Sequence, residues 1–445
     1  MRIVGRSRPV TRRSVLAGGS AALASSILAR HGDSLAQGLS GSITIGYEGA
    51  NAFIGPYVEA AAEAVMAANP GTSIDIAPSP GAGYLNQLAV QLFTNTAPDV
   101  FLILGLGSGE LAQGGFVLPL DDYLSNWDGW VQYGEQARFG VTVQDHIWSI
   151  PWGLNVYFLY YRKDLFEAAG LPVDWQPQTR EEIIEASEAI KAANTDVIPY
   201  SIYVGANGEN ATAADFMTLI LSNGGTLTDP DGKWFIDSCA IRETLGFYET
   251  AFQTAAVVPE SVLTDVAPLV TIPQYFGDGD LGILHESARQ YGVWTAEDPE
   301  NAANIGIALF PGNDGLFELG DAGDAWYINR NSKNPDLGWA FIEAFNSAET
   351  QAALAIEDPH LPARNDVRAD PAWQATPLAP IMLDVADALT LPPPEPQFRK
   401  LIGVVQNATS LVATGEATPV EAIERYGQEL TLTMGKPNVI EQACP

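Results

Sequence analysis

The chain has few residues of the kinds that bind metals or form disulfides, with two Cys and four His among 445 residues. Two Cys exclude a disulfide-dense scaffold and any Cys-rich metal site. Four His leave little room for a zinc enzyme, whose metal needs several nitrogen, sulfur or oxygen ligands. We therefore expect no metal and no other cofactor, and a fold whose cores come from the 47% hydrophobic content.

Basic residues are also scarce, with 22 Lys and Arg against 54 Asp and Glu and a formal net charge of −32. A surface that binds nucleic acid needs clustered Lys and Arg, so we expect no nucleic-acid partner. The same imbalance argues against anionic membrane surfaces and strongly anionic ligands.

The N-terminus holds an unusual share of the basic residues, because six of them are Arg within the first 30 positions. They flank a short run of apolar and small residues, Ser14–Leu28, and small residues follow at 34–36. This order indicates an export signal that is cleaved after Ala36. Thr11–Leu16 resembles the twin-arginine export motif. The alternative is an ordinary N-terminal helix, which would have to bury apolar residues on every side.

Cleavage would make the mature chain more acidic. Removing residues 1–36 takes away six Arg and one Asp, which leaves 16 basic and 53 acidic side chains and a net charge of −37. No Cys lies near the cleavage site, so we expect a soluble periplasmic protein without a lipid anchor. In that oxidising compartment Cys239 and Cys444 either form a disulfide or remain two free thiols, and the sequence leaves both open.

The mature sequence alternates strand and helix patterns from its start. Strand patterns at 42–47, 73–78 and 100–104 alternate with helix patterns at 56–68 and 84–93. This order predicts an α/β lobe with right-handed crossovers. Ligands of such sheets bind beyond the carboxyl ends of the strands, which makes the loops Glu48–Phe53 and Gly105–Ser108 candidate contacts. A second round begins near residue 150, and the long helices after Pro335 predict lobes built from discontinuous segments.

Several short motifs occur in a fixed order between residues 94 and 367. They are TNTAPDVFLI, LAQGGFVLPLDDYL, HIWSIPWGLNVYFLYYRKDLFEAAGLP, TREEIIEASEAI, SNGG, YFGDGDLGIL, FPG and LPARNDV. Together they resemble the extracellular solute-binding proteins of ABC importers, in the maltose-binding-protein-like branch that takes sugars and oligosaccharides. The resemblance covers about residues 42 to 432 and implies a monomer that passes a captured solute to membrane permease subunits.

The resemblance also implies a fold. We expect two α/β lobes, each a mainly parallel sheet flanked by helices, that enclose the solute in a cleft as they close. After the signal at 1–36, residues 37–153 with 309–354 would form the N-terminal lobe. Residues 154–308 with 355–445 would form the C-terminal lobe. The hinge crossings would lie near Gly153, Leu309 and Ala355.

Candidate solute-binding residues follow from the chemistry of a neutral sugar. Aromatic faces cover the C–H face of the ring, while carboxylate, amide and guanidinium groups pair with hydroxyls. Polar groups left unpaired by the wrong sugar provide discrimination. The resemblance implies that polar and aromatic contacts lie on the loops of the cleft, and the candidates there are Glu48, Asn51, Trp152, Asn155, Glu286, Arg289, Asp321, Trp326 and Arg364. His285 lies in the same segment, but we favour Glu286 and Arg289. Asp99 is interpreted as a turn or cap residue.

Two other functions remain open at this point. A secreted carbohydrate-active enzyme would need a pair of carboxylates, and 53 mature acidic residues make any pair uninformative. The sequence has no G-x-S-x-G, H-E-x-x-H or P-loop motif, so we expect no catalytic residue and no enzyme. The acidity also leaves a cationic solute such as a polyamine as an alternative to a sugar.

Overall fold

The computed structural model describes residues 38–79, 83–313, 315–392 and 397–444, without the side chains of 50–52, 398 and 399. The predicted export signal lies outside these residues. The chain forms two compact units. The first contains the described residues up to Phe101 together with Ser332–Thr350, and the second contains Leu102–Asn331 and the described residues from Gln351 onward. The lobe bounds and hinge crossings stay a prediction.

The first unit is built around the strand Gly41–Glu48. This strand pairs in parallel with Thr72–Ser79 along its length and with the first two residues of Val100–Leu104. The helices Gly55–Ala68, Tyr84–Thr94 and Pro335–Phe345 and the 3-10 helix Gly49–Ile54 complete the unit. The parallel β-α-β-α-β order predicted for this segment is confirmed.

Asp99 has a structural role within the first unit. Its two carboxylate oxygens accept hydrogen bonds from the Thr44 backbone N–H at 2.9 Å and from the Ser332 hydroxyl at 2.6 Å. Asp99 therefore ties the central strand of the first unit to the segment that enters it at Ser332.

The main sheet of the second unit is mixed. Its order is Ile305–Ala308, Gly153–Arg162, Leu281–Ser287 and Ile198–Ser201. The long strand Gly153–Arg162 runs antiparallel to both neighbours, whereas Leu281–Ser287 and Ile198–Ser201 are parallel. The α/β fold class holds, but a mainly parallel sheet was the wrong prediction for this unit. An apolar run indicates that a strand is buried on both faces. It does not indicate whether the strand is parallel or antiparallel to its neighbours.

The rest of the second unit consists of short strands and flanking helices. The other strands are Thr142–Val143, His146–Ile147, Ile150–Pro151, Trp234–Asp237, Phe310–Gly312, Gly315–Phe317, Gly320–Asp321, Asp324–Ile328, Leu361–Pro362 and Val439–Glu441. The helices are Ser108–Gln113, Asp121–Leu124, Glu135–Phe139, Lys163–Ala168, Arg180–Ala193, Glu209–Ser222, Cys239–Glu249, Glu260–Leu263, Pro268–Asp278, Ala288–Glu297, Asn365–Arg368, Pro371–Gln374, Ala379–Val385, Phe398–Ala413 and Pro419–Met434. The helix Ala348–Glu357 leads from the first unit into the second. Within the described ranges, no helix combines the length and the hydropathy that a membrane crossing needs.

Side-chain caps begin several of these helices. Thr179 accepts a hydrogen bond from the Glu182 backbone N–H and so caps Arg180–Ala193. The Glu182 carboxylate bonds the backbone N–H of Gln178 instead of the cap residue, so the capping box is displaced by one residue.

The two Cys residues form a disulfide in the structure. Cys239 is the first residue of the helix Cys239–Glu249, and Cys444 follows the strand Val439–Glu441. That strand pairs in parallel with Trp234–Asp237, which directly precedes the helix. The C-terminal tail is thereby attached at the point where a strand passes into a helix.

Candidate functional site

Asn155 and Asp321 are brought together by strand pairing. Gly320–Asp321 runs antiparallel to the long strand, with Asp321 opposite Asn155, and the Asn155 amide donates to Asp321 Oδ1 at 2.9 Å. Tyr157 lies two residues farther along the same face, and its hydroxyl donates to Asp321 Oδ2 at 3.4 Å. The Gly323 backbone N–H also donates to Oδ1, at 2.6 Å, from a residue with φ of 55° that suits glycine. Three donors thus meet the carboxylate of Asp321, which is 7% exposed, beside the half-buried side chains of Asn155 and Tyr157.

The Asp321 carboxylate sits in an environment that opposes its charge. Burial raises its pKa to about 6, and the neighbouring charge of Asp324 acts in the same direction. The hydrogen bonds from Gly323, Asn155 and Tyr157 lower the pKa but do not outweigh burial. The side chain therefore changes charge close to neutral pH.

Glu286 forms a second carboxylate group at the end of a strand. It is the next-to-last residue of Leu281–Ser287 and is half-buried. The Tyr203 hydroxyl donates to Oε2 at 2.8 Å, and the Ser287 backbone N–H donates to Oε1 at 2.7 Å. Burial raises the pKa of Glu286. Tyr203 follows the parallel neighbour Ile198–Ser201, so both residues lie at the strand ends where α/β sheets bind ligands.

Arg289 is already paired with a carboxylate. Its Nε donates to Asp358 Oδ1 at 2.9 Å, and about a third of its side chain, 34%, remains exposed. Burial raises the pKa of Asp358, and the positive charge of Arg289 lowers it.

Trp152 is buried against a neutral histidine. It is 4% exposed, and its ring meets His360 edge-on with 4.4 Å between ring centroids. Burial lowers the pKa of His360 to about 3, and its Nδ1 donates to the Asp358 carbonyl at 2.5 Å. Gly153 is required here, because a Cβ at this position would lie 2.0 Å from His360 Cδ2.

The remaining candidates of the second unit are engaged within the protein. Trp326 is 0% exposed in the strand Asp324–Ile328, so a solute contact there stays a prediction that this burial does not favour. Arg364 is 7% exposed and donates to both carboxylate oxygens of Asp366, at 2.9 and 2.6 Å.

Glu48 and Asn51 belong to the first unit. Glu48 ends the strand Gly41–Glu48 and is half-exposed. Asn51 lies in the following 3-10 helix, and its side chain is outside the described part of the structure.

Sequence reasoning missed four residues of this region, namely Tyr157, Tyr203, Asp215 and Asp358, and did not favour His285. One of them had a signal in the sequence. Asp215 is a lone acid between Ala214 and Phe216 in an apolar helix, and such a residue needs a buried partner. The partner is His285, whose Nδ1 lies 2.7 Å from Asp215 Oδ1. Among the described residues, no group of His, Cys, Asp and Glu could hold a metal ion.

Comparison with known proteins identifies a matching family and similar structures. The family described as bacterial extracellular solute-binding protein matches residues 53–352. A putative binding protein of Brucella abortus (strain 2308) is 22% identical over 373 residues, 82% of this chain and 86% of the relative.

Two solved structures share the fold. An ABC transporter solute-binding protein from Thermotoga lettingae TMO, bound with α-D-tagatose, is similar with a TM-score of 0.78 and 22% identity, over 89% of this chain and 100% of that chain. The maltose-bound MalE3 of T. maritima is similar with a TM-score of 0.73 and 23% identity, over 89% of this chain and 100% of that one. These similarities confirm the predicted fold class.

Proposed function

Since this chain belongs to the bacterial extracellular solute-binding proteins, we propose that it captures a sugar or sugar-like solute and delivers it to the membrane permease of an ABC importer. The family membership confirms the resemblance drawn from the ordered motifs. The sugars named for two similar structures, α-D-tagatose and maltose, support an uncharged, hydroxyl-rich solute.

The observation that carries the proposal is the group around Asp321. A half-exposed amide and phenol converge on one carboxylate, at 2.9 and 3.4 Å, and Glu286 with Tyr203 repeats the carboxylate–phenol pair. Vicinal sugar hydroxyls donate to carboxylates and accept from amides and phenols, so this set matches a polyol.

We assign the direct contacts in the second unit to Asn155, Asp321, Glu286 and Arg289, with Tyr157 added to the residues predicted from sequence. Trp152, Trp326 and Arg364 remain candidates, as do Glu48 and Asn51 in the first unit. No residue is assigned a catalytic role, because the family and the fold are those of binding proteins.

The proposal extends to where the protein works. The N-terminal Arg pair and apolar run support twin-arginine export to the periplasm, with cleavage after Ala36 and no lipid anchor. The mature protein acts there as a monomer. Mass spectrometry of the secreted protein tests this, because a mature chain that retains residues 1–36 contradicts it.

A thermal-shift screen tests the solute class. The mature chain is heated with sugars (maltose, maltotriose, lactose, tagatose), polyols (ribitol, mannitol) and amines (spermidine, putrescine). A bound solute stabilises the folded state by about 2.7 kcal/mol when present at 100 times its Kd, so it raises the melting temperature by several degrees. We expect a sugar or polyol to do so. A shift with amines alone would support the cationic alternative, and release of shorter sugars from an oligosaccharide would establish an enzyme.

Solute affinity should depend on pH through Asp321. Only the charged carboxylate accepts hydrogen bonds at both oxygens, and the pKa of Asp321 is raised to about 6. Affinity should therefore be highest above pH 7 and fall through pH 6, by up to about tenfold per pH unit when one proton is involved. Calorimetry from pH 5 to 8 measures this. Equal affinity at pH 5 and pH 8 would contradict a role for charged Asp321.

A further inference from the structure

The Asp215–His285 pair lies deep in the second unit, behind the residues assigned to the solute. Asp215 comes from the helix Glu209–Ser222 and His285 from the strand Leu281–Ser287, and they are 3% and 2% exposed. Burial raises the pKa of Asp215, while the hydrogen bond and charge of His285 and the Tyr203 backbone N–H lower it. Taking such a pair out of water costs about as much as its attraction returns, so stability alone does not account for it.

The pair contacts both tyrosines of the candidate site, Tyr157 through its ring and Tyr203 through its backbone. The His285 ring stacks on the Tyr157 ring, with 5.7 Å between centroids and 27° between planes. The second oxygen of Asp215 accepts a hydrogen bond from the Tyr203 backbone N–H at 2.7 Å. Tyr157 then donates to Asp321, and Tyr203 donates to Glu286.

The hydrogen bonds fix the orientation of the imidazole. An ionised Asp215 can only accept, and with that carboxylate the His285 Nδ1 is the donor. A ring held this way cannot rotate, and Phe310 packs edge-on against it with 5.5 Å between centroids. His285 therefore presents a fixed flat surface to Tyr157.

We propose that Asp215 and His285 are positioning residues, which set solute affinity by fixing Tyr157 and Tyr203 in place for Asp321 and Glu286. This rests on the proposed function, since it concerns the same solute site. The competing explanation is that the pair only joins the helix Glu209–Ser222 to the sheet.

A double-mutant cycle separates the two explanations. D215N, H285F, Y157F, D215N/Y157F and H285F/Y157F are titrated by calorimetry with the sugar that gives the largest thermal shift in the screen above. H285F keeps a ring against Tyr157 but loses the hydrogen bond to Asp215. T218V is the matched control, because Thr218 is 1% exposed on the same helix and its hydroxyl bonds only Ala214 in that helix.

We expect D215N and H285F to raise Kd about tenfold, the size of one hydrogen bond. H285F should have little further effect once Tyr157 is Phe, whereas D215N should keep the part of its effect that acts through Tyr203. T218V should lower the melting temperature and leave Kd unchanged. Additive effects of H285F and Y157F, or D215N and H285F with the wild-type Kd, would overturn the proposal. A wild type that binds no sugar would instead overturn the proposed function.

A measurement on the wild type covers the case in which the variants do not fold. With ¹³C-labelled histidine, the ring signal of His285 should shift on sugar addition, while that of His146, which is 57% exposed in its side chain, should stay in place. A His285 signal that does not move with saturating sugar would overturn the proposal.

Discussion

Replacing Asp321 with Asn is expected to weaken solute binding by one to two orders of magnitude without destabilising the protein. Hydrogen bonds to a charged group contribute about 1.5–3 kcal/mol each, and 1.4 kcal/mol is a factor of ten in Kd. The Asn side chain keeps one acceptor oxygen for the Gly323 backbone N–H and loses the charge that the solute hydroxyls would bind. The measurement is calorimetric titration at pH 8 with the sugar found in the screen.

The same replacement should not lower the stability of the solute-free protein, although it weakens solute binding. The pKa of Asp321 is raised in the folded state to about 6, so ionising this carboxyl group lowers the free energy of unfolding. The loss grows as the pH rises from about 4 to 6, and it is complete above pH 6. Asn carries no charge, so solute-free D321N should be at least as stable as the wild type at pH 8. The pH dependence of affinity between pH 5 and 8 should also flatten. A variant that loses stability and affinity in proportion would show that Asp321 is structural.

Asp99 provides the control for this experiment. It also accepts two hydrogen bonds, from Thr44 and Ser332, but it ties segments of the first unit together. D99N should therefore lower the free energy of unfolding by about 1 kcal/mol and leave Kd unchanged. The two Asp-to-Asn variants then differ in which property they change.

Removing the disulfide is expected to have the largest effect on stability. Cys239 and Cys444 are separated by 205 residues in sequence, and a cross-link over so long a loop restricts the unfolded chain strongly. We expect the C239S/C444S double variant to lose about 2–5 kcal/mol in free energy of unfolding. Guanidinium unfolding of the oxidised wild type and of the variant measures the difference.

Affinity should respond little to this change. The bridge joins the tail at Val439–Glu441 to the start of the helix Cys239–Glu249, and no residue assigned to the solute lies in either. Wild type treated with a reductant should unfold at the same denaturant concentration as the double variant. An oxidised wild type and a double variant with equal midpoints would show that the bridge adds nothing, and two free thiols by mass spectrometry would show that it does not form in solution.

Secondary structure could be predicted from the sequence because it depends on local patterns. The strand at Val100–Leu104 and the helix at Pro335–Phe345 are where the apolar spacing and the turn residues indicate. The direction of the long strand Gly153–Arg162 could not be predicted, because the direction follows from which strands it meets, and those are more than 100 residues away in sequence.

The residues of the candidate site also fall into those that the sequence predicts and those that it does not. Asn155, Glu286 and Asp321 were selected because they lie where the resemblance implies polar solute contacts, and the structure joins Asn155 to Asp321 directly. Trp152 was selected as a stacking platform and Trp326 as the aromatic residue that the resemblance implies near the late hinge, and the fold buries both. Tyr157 could not be predicted, because a tyrosine in an apolar strand is typical of a core residue. Its hydroxyl donates to Asp321 because the strand Gly320–Asp321 pairs beside it.

By itself the sequence determined the acidic composition of this chain and the ordered motifs of a solute-binding family, and it predicts an export signal and no metal site. Those properties depend on composition and on residues close together in the chain. Only the tertiary structure decided which polar groups meet, that burial raises the pKa of Asp321 to about 6, and that His285 contacts both Asp215 and Tyr157. The physical reason is that hydrogen bonds and burial depend on distances in space, and folding brings together residues that are 70 to 166 positions apart in sequence.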